Sequence, residues 1–457
     1  MSRRICLIRK EKMERRSFIK TAAAFGALAV SPRIVMGGAK YISPNEKLNI
    51  AAIGLGQQGS RDIRNLETEN IVALCDVDYK NAAETFNRHP NAAKYKDYRE
   101  MLDKQKDIDA VMIATPDHTH AIISVAAMQA GKHVYCQKPL THSIYEARRV
   151  AQVAKETGVV TQMGIQNHSA EHVRLLVEWV KAGAIGEVSE VEAWSTLSFY
   201  PYGHEWWSPS QGTRPTKAQP VPKDLDWNLW IGPAPMRPYH RVYHPCTWRA
   251  WWDFGCGMMG DRGVHTLDSI VWALDLGLPE SIEATSLGMN NETHPLSAII
   301  TFRFPARGNL PPVKLTWYEG MRPSAPPELE NGRRFGGSEG GIFLRGSKGL
   351  LMADYTAQSP RLIPEISMQK FVKNRLSSTI PRVPGGHFQQ WVQACKGRCK
   401  AEADFAYGSL LTEICHLGNI AKRVDSRILW DAQNMRVTNN ESANQYVRRE
   451  YRQGWTI

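Results

Sequence analysis

The chain has 457 residues, of which 42% are hydrophobic, and this length is enough for two domains with substantial cores. The formal net charge is +12, but residues 1–40, where ten Lys and Arg face two Glu, contribute +8 of it. The remainder is only mildly basic, which argues against a nucleic-acid partner, and eight cysteines in this length do not make a disulfide scaffold.

Residues 1–40 have the features of an export signal. Arg15 and Arg16 precede a mildly apolar run, residues 21–30, that is too short and too rich in alanine to span a bilayer. This pattern predicts twin-arginine export from a natural start at Met13, and therefore a periplasmic or otherwise exported protein. No cysteine follows the run, so no membrane anchor is expected. A basic disordered tail is the alternative interpretation.

A glycine triad follows the first apolar run, residues 48–53. Gly54 would let the chain turn out of a strand, and Gly56 would let the backbone approach a pyrophosphate. Gly59 would let the next helix pack closely on the sheet, and its N-terminus, with Gln57 in the turn, would face the phosphates. The triad therefore predicts a dinucleotide site.

Asp76 stands directly after the second apolar run, residues 71–75, about 20 residues beyond the first glycine. A carboxylate at this position can bind the adenosine ribose hydroxyls and repels a 2′-phosphate. The carboxylate at this position therefore favours NAD over NADP. A solvated residue at the end of a strand is the alternative interpretation.

Residues 45–165 alternate short strand-like runs with helical stretches, the pattern of a doubly wound parallel sheet. In such sheets the carboxyl ends of the strands converge on the ligand crevice. The predicted strand at 109–115 leads into a helix at 121–130, and a further strand at 133–136 precedes Gln137. The side chains expected near one cofactor site are Thr115, Pro116, His120, Lys138 and Gln166.

Residues 166–457 are predicted to form a second α/β domain. Period-two alternation at 187–194, 281–284 and 297–304 predicts a large, mainly antiparallel, open sheet. A helix is expected at about 407–423, followed by a polar tail from Trp430 onward.

A Trp- and Pro-rich insertion, residues 200–252, holds seven of the fourteen tryptophans. Aromatic faces suit the C–H faces of sugar rings, but Trp248, Trp251 and Trp252 at helical spacing could equally be core. Substrate contacts are expected from Trp248, Arg249 and the earlier His168. No histidine or cysteine shows the spacing of a metal site, so no metal is expected.

Asp261 and His265 stand four residues apart, which places both side chains on one face of a helix. An imidazole near a carboxylate can take the proton of a hydroxyl while hydride leaves the same carbon. A capping Asp with a buried, hydrogen-bonded His is the alternative. Lys138 could hydrogen-bond the substrate oxygen and stabilise its negative charge, or be a surface lysine in a turn fixed by Pro139.

Together these residues resemble the Gfo/Idh/MocA superfamily of nucleotide-dependent sugar and polyol oxidoreductases. The resemblance is carried by the glycine triad, Ala114-Thr115-Pro116 with His120, Gln137-Lys138-Pro139, and Asp261 with His265. It implies a Rossmann domain followed by an α/β domain whose open sheet forms contacts in a dimer or tetramer. By motif match, Lys138 is catalytic, His265 is the general acid/base and Asp261 orients the substrate. Gln137 departs from the pattern, because the family usually has Glu there.

The resemblance implies an NAD-dependent oxidoreductase acting on a sugar, polyol or glycoside hydroxyl. Behind an export signal the NAD must stay tightly bound and be recycled in place. A glycosidase is the alternative: transient oxidation at C3 acidifies the C2 proton, elimination expels the aglycone, and the hydride returns. A sugar-binding protein with a vestigial nucleotide site is the third possibility.

Overall fold

The computed structural model describes residues 46–198, 208–373 and 377–457. The expected export signal lies outside these ranges, as do residues 200–207 of the Trp-rich insertion. The fold is therefore given from β1 onward.

The first part of the chain forms a six-stranded sheet with the order β3-β2-β1-β4-β5-β6, in which all neighbours are parallel. The order reverses between β1 and β4, the switch point at which open α/β sheets bind ligands. This confirms the predicted Rossmann sheet. The strands are β1 Asn49–Ile53, β2 Asn70–Cys75, β3 Ala93–Tyr95, β4 Ala110–Ile113, β5 His133–Cys136 and β6 Thr161–Met163. The helices are α1 Gln57–Arg64, α2 Ala83–Arg88, α3 Tyr98–Lys104, α4 His120–Gln129 and α5 Ile144–Thr157.

The second sheet has nine strands in the order β13-β12-β11-β7-β10-β9-β8-β14-β15. Only β7 and β10 pair in parallel among its described neighbours, so the prediction of a mainly antiparallel sheet is confirmed. Its strands are β7 Val188–Ser195, β8 Ser281–Leu287, β9 Ser297–Phe304, β10 Val313–Glu319, β11 Gly340–Gly346, β12 Gly349–Asp354, β13 Arg361–Ile363, β14 Ile428–Asp431 and β15 Arg436–Val437. The accompanying helices are α6 Glu171–Lys181, α7 Trp227–Ile231, α8 Val264–Leu274, α9 Glu365–Lys373, α10 Gly386–Cys395 and α11 Phe405–Val424.

The region predicted as a polar tail is structured. Trp430 lies in β14, which pairs with β8 and so extends the second sheet. The sequence did not indicate these strands because β14 and β15 lie at the edge of the sheet, where alternate residues face solvent and can be polar.

Helix α11 connects the two parts of the fold, since it packs against both α5 and β8. Near its end, Lys422 Nζ lies 2.9 Å from Glu319 Oε2 of β10, and both side chains are almost fully buried. A buried charge pair of this kind is costly to break, because either partner alone would be an unpaired charge. The ion pair therefore holds α11 in one position on the sheet.

The outer face of the second sheet carries exposed apolar side chains. Leu287 of β8 is 66% exposed and Ile299 of β9 is 39% exposed. Self-association through this sheet stays a prediction. Within the described ranges, no helix combines the length and the apolar character that a membrane crossing needs.

The glycine triad forms the turn between β1 and α1. Gly54 has φ +83°, which L side chains rarely adopt, and a Cβ there would lie 2.6 Å from the carbonyl carbon of Ala114. A Cβ at Gly59 would lie 1.9 Å from the carbonyl oxygen of Gly54. The turn and the close approach of helix to strand both agree with the sequence interpretation.

Gly59→Ala should lower the free energy of unfolding by about 1–3 kcal/mol, because the methyl group forces α1 away from β1. Gly277→Ala is the matched control, since a Cβ there meets nothing within 4 Å, and its stability should be unchanged or slightly higher. Urea unfolding of both variants measures the difference. Equal stabilities would contradict the tight packing inferred at Gly59.

Candidate active site

A single cavity of about 390 Å³ lies at the carboxyl ends of β1, β2, β4 and β5. The Trp- and Pro-rich insertion and the turn before α8 form its other walls. Most of the residues singled out from the sequence line it: Gly54, Gly56, Gln57, Asp76, Thr115, Pro116, Lys138, Gln166, Trp248, Arg249, Asp261 and His265. Gly59 lies behind the wall, where its role is the close packing of α1.

His120 does not line the cavity, so the structure does not bring it to the predicted contact with the cofactor. The side chain is 1% exposed; Nδ1 lies 2.8 Å from the carbonyl oxygen of Pro139, and Nε2 lies 2.8 Å from that of Thr115. Both nitrogens face acceptors, so the ring must be doubly protonated to satisfy them. Burial alone lowers the pKa, but Cys136, Asp117 and the Pro139 carbonyl raise the pKa of His120 to about 9. The imidazolium therefore fixes the loops after β4 and β5.

His168 is also absent from the cavity wall, which corrects its assignment to the substrate. It is 2% exposed, its Nδ1 lies 2.8 Å from Asp268 Oδ1, and its ring stacks on Trp272 at 4.4 Å. Its place next to the end of β6 brought it near the site, but the side chain points into the protein to pair with α8.

Lys138 and Asp261 meet in the cavity. Lys138 follows β5, and its Nζ donates to Asp261 Oδ1 at 2.6 Å and to the Asp261 carbonyl oxygen at 2.8 Å. Asp261 lies in a π-helical turn, Met259–Gly263, that leads directly into α8, so it does not cap a helix. The wide turn brings both its carboxylate and its carbonyl towards the lysine.

Asp261 is surrounded by positive charge. Besides Lys138, the Nε atoms of Arg249 and Arg262 lie 3.9 Å from its carboxylate oxygens. Burial on its own raises the pKa of Asp261, but Lys138, Arg249 and Arg262 hold it well below its usual range. Asp261 is therefore ionised at any working pH and keeps the lysine ammonium in place.

His265 stands one helical turn beyond Asp261 and lines the same cavity. The Asp261 carboxylate is hydrogen-bonded to Lys138. None of the described residues hydrogen-bonds to His265 Nδ1. Burial and the charge of Lys138 lower the pKa of His265 to about 3. The imidazole is thus neutral near pH 7.

At the other end of the cavity, the groups around Asp76 fit a dinucleotide. Asp76 Oδ2 accepts from the Leu55 amide at 2.7 Å, and Oδ1 accepts from the Asp78 amide at 2.8 Å. Burial raises the pKa of Asp76 to about 6, so the carboxylate is ionised at pH 7. Each oxygen retains a lone pair for a ribose hydroxyl. Gly54 and Gly56 line the cavity beside this carboxylate, and a Cβ at either position would collide with the Ala114 backbone or the Asn81 side chain.

Gln137 contacts a carboxyl group that the sequence pattern did not reveal. Its Nε2 donates to Asp62 Oδ2 at 2.7 Å, and Gln58 Nε2 donates to the other oxygen, Oδ1, at 2.7 Å. Burial raises the pKa of Asp62 to about 7. A glutamate at 137 would place a second carboxyl group against that of Asp62. The Gln137 amide instead donates a hydrogen bond to it.

Several cavity residues were missed. Asp117 is buried, and its Oδ2 accepts from the Cys256 amide at 3.0 Å; its place after β4 was the available signal. Arg262 and Tyr355, whose ring centroid lies 4.9 Å from the guanidinium, come from distant parts of the chain. Trp455 also lines the cavity and carried no motif.

The described tryptophans of the insertion belong mainly to the core. Trp227, Trp230, Trp248 and Trp251 pack in one aromatic cluster, in which Trp227 and Trp230 stack at 4.6 Å. Within this cluster only Trp230 and Trp248 reach the cavity, and the guanidinium of Arg249 lies 4.3 Å from the Trp248 ring centroid. The core interpretation therefore holds for most of them.

Two family models match the chain. Residues 48–165 match the oxidoreductase family's NAD-binding Rossmann fold, and residues 172–304 match its C-terminal alpha/beta domain. The chain belongs to the Gfo/Idh/MocA family of oxidoreductases. The WlbA dehydrogenase of Bordetella pertussis, solved with NADH and UDP-GlcNAcA, shares the fold with a TM-score of 0.58 at 17% identity, over 84% of this chain and 99% of that one.

Individual relatives match over shorter stretches. Inositol 2-dehydrogenase of Salmonella typhimurium is 29% identical over 146 residues, which are 31% of this chain and 43% of the relative. A glycosyl hydrolase family 109 protein of Shewanella pealeana is 25% identical over 209 residues, 40% of this chain and 46% of the relative. The chain thus spans less than half the length of these curated relatives.

Asp62→Asn should change how stability depends on pH. With a pKa raised from 3.8 to about 7, folded wild type holds a proton that the unfolded chain releases, so its stability falls as pH rises from 4 to 7. The variant lacks this penalty. The free energy of unfolding of the variant minus that of wild type should therefore rise by roughly 1–4 kcal/mol across that window.

Urea unfolding at several pH values measures this difference, with Asp103→Asn as the control because the Asp103 side chain is 82% exposed. The difference in the free energy of unfolding between Asp103→Asn and wild type should stay constant with pH. A constant difference for Asp62→Asn as well would contradict the raised pKa.

Proposed function

We propose that the protein is an NAD-dependent oxidoreductase acting on a hydroxyl of a sugar, polyol or glycoside, with NAD held tightly and recycled in place. One observation carries the proposal: a single cavity joins the glycine turn and Asp76 to Lys138, Asp261 and His265. The proposed dinucleotide site therefore lies next to groups that could accept a hydroxyl proton. Asp76 supports NAD over NADP, because its charge opposes a 2′-phosphate.

Lys138 would position the reacting hydroxyl. Two of its three N–H donors reach Asp261, which leaves the third for the substrate oxygen. Its positive charge stabilises the negative charge that develops on that oxygen as the proton leaves. Asp261 acts through the lysine, because it holds the ammonium group at one position.

His265 would accept the hydroxyl proton. It lines the cavity beside Lys138 and Asp261 and is neutral near pH 7, so it can take up a proton. NAD, when bound, supplies the acceptor for the hydride that leaves the same carbon. The O–H proton goes to the imidazole, the C–H bond breaks with its electron pair, and a carbonyl is formed.

A redox-neutral glycosidase is the second candidate, and the similarity to the glycosyl hydrolase family 109 protein favours it. The same residues would serve a reversible oxidation at C3. The acidified C2 proton would then leave as the aglycone is expelled from C1, and water would add across the resulting C1–C2 double bond. Return of the hydride to C3 would restore the hydroxyl. No external redox partner is consumed.

The full-length protein, purified without added nucleotide, separates these candidates. We expect NAD rather than NADP after denaturation, and oxidation of a sugar or polyol coupled to reduction of a carbonyl acceptor. Release of nitrophenol from aryl glycosides without an acceptor would favour the glycosidase. A protein with no nucleotide and neither activity would leave only sugar binding.

His265→Ala should lower kcat by about 10²–10⁴-fold, the usual contribution of a general base, while the NAD content stays at the wild-type level. His89→Ala, remote from the cavity, is the control and should keep full activity. Steady-state kinetics and nucleotide analysis measure both effects. Wild-type turnover in His265→Ala would refute the proton-accepting role.

We also propose that the protein is exported through the twin-arginine pathway with its NAD already bound. Arg15 and Arg16 ahead of the apolar run support this route, which carries folded proteins. Replacing both arginines with lysine should keep the protein in the cytoplasm, whereas Arg3→Lys with Arg4→Lys should not. Cell fractionation measures the distribution, and export of the Arg15/Arg16 variant would contradict the proposal.

A further inference from the structure

The segment from Arg449 to Ile457, here called the closing segment, returns from the second sheet to the Rossmann sheet. Arg449 Nε lies 2.8 Å from Glu146 Oε1 of α5, and the Tyr451 hydroxyl donates to the same oxygen at 2.6 Å. Arg449 also donates to the carbonyl oxygen of His118. Glu146 is fully buried, so this attachment is shielded from water and fixes the start of the segment.

A second attachment joins the closing segment to the Trp- and Pro-rich insertion. Arg452 Nη1 donates to Asn228 Oδ1 at 2.6 Å, and its Nε donates to the Gly232 carbonyl at 3.1 Å. The Arg452 amide donates to the carbonyl oxygen of Pro233 at 3.0 Å. The closing segment is therefore attached to α5 and to the Trp- and Pro-rich insertion just before Trp455.

Trp455 is half-buried and lines the cavity. Its amide donates to the Arg452 carbonyl at 3.1 Å, and the Arg99 guanidinium lies 4.7 Å from its ring centroid. The same cavity wall includes Asp97 and Tyr98, which follow β3, and Asp76, which follows β2. Trp455 thus brings an indole ring to a cavity that these strands border.

The strand order indicates which half of a dinucleotide this wall would meet. Lys138 follows β5, whereas β2 and β3 lie on the other side of β1. The nicotinamide must reach the cavity residues that handle the hydroxyl, so the adenosine half extends towards β2 and β3. Asp76 is placed there for its ribose.

We infer that Trp455 is a wall of the adenine subsite and that the closing segment retains NAD in the cavity. The inference rests on the proposed function, because it requires NAD as the occupant. An aromatic ring at this wall can contact a purine. Trp455 stands far along the sequence from the other proposed cofactor residues. Since Arg449 and Arg452 anchor the segment to α5 and to the Trp- and Pro-rich insertion, Trp455 is held at this wall, where its contact would slow the release of NAD.

The test compares Trp455→Ala with Trp455→Phe, which keeps an aromatic face, and with Gln453→Ala, an exposed neighbour outside the cavity. Release of NADH after rapid dilution is followed by nucleotide fluorescence. Binding of 5′-AMP is followed by calorimetry on protein from which the resident nucleotide has been removed. Trp455→Ala should release NADH on the order of ten-fold faster and weaken AMP to a similar extent. The other two variants should stay within a few-fold of wild type.

Wild-type release from Trp455→Ala, or weakened NADH binding with unchanged AMP binding, would overturn the inference. If Trp455→Ala does not fold, Arg452→Ala decides, because it leaves the ring and removes its attachment to Asn228. That variant should release NADH several-fold faster, and a wild-type rate would refute retention by the closing segment. Failure of wild type itself to bind NAD or NADH would instead refute the proposed function.

Discussion

Lys138 Nζ lies 2.6 Å from Asp261 Oδ1, and this ion pair connects the carboxyl end of the parallel sheet to the turn before α8. The partners are 17% and 13% exposed, so removing either would leave a poorly solvated charge. The pair requires the two parts of the chain to lie in one arrangement. The cavity, the position of His265 and the environment of Arg249 all depend on that arrangement.

The surrounding polar groups maintain the strand ends that carry this pair. His120 holds the carbonyls of Thr115 and Pro139 with one ring, and Gln137 joins the end of β5 to Asp62 of α1. The His120 and Asp62 side chains lie behind the cavity wall, whereas Gln137 also lines the cavity. They explain why the loops after β4 and β5 keep the separation that a ligand between them requires.

Much of the cofactor side could be predicted from the sequence, because strand periodicity locates the carboxyl ends and the crevice is always there. Gly54, Asp76, Thr115, Lys138 and Gln166 were placed at the crevice this way, and all of them line the cavity. The same reasoning failed for His120 and His168, because nearness to a strand end does not determine where a side chain points. Asp62 and Trp455 gave no local signal, since only the fold brings Asp62 against Gln137 and Trp455 to the cavity.

The wall of the cavity draws on residues from Gly54 to Trp455, which lie almost at opposite ends of the described chain. Contacts between such distant residues form late, because a long loop must close first. During synthesis the Rossmann sheet can therefore fold while one side of the cavity is still missing. On the inference that Trp455 contacts the cofactor, the cavity can enclose a dinucleotide only after residues 449–457 have docked, so cofactor capture would follow the assembly of both sheets rather than of the first alone.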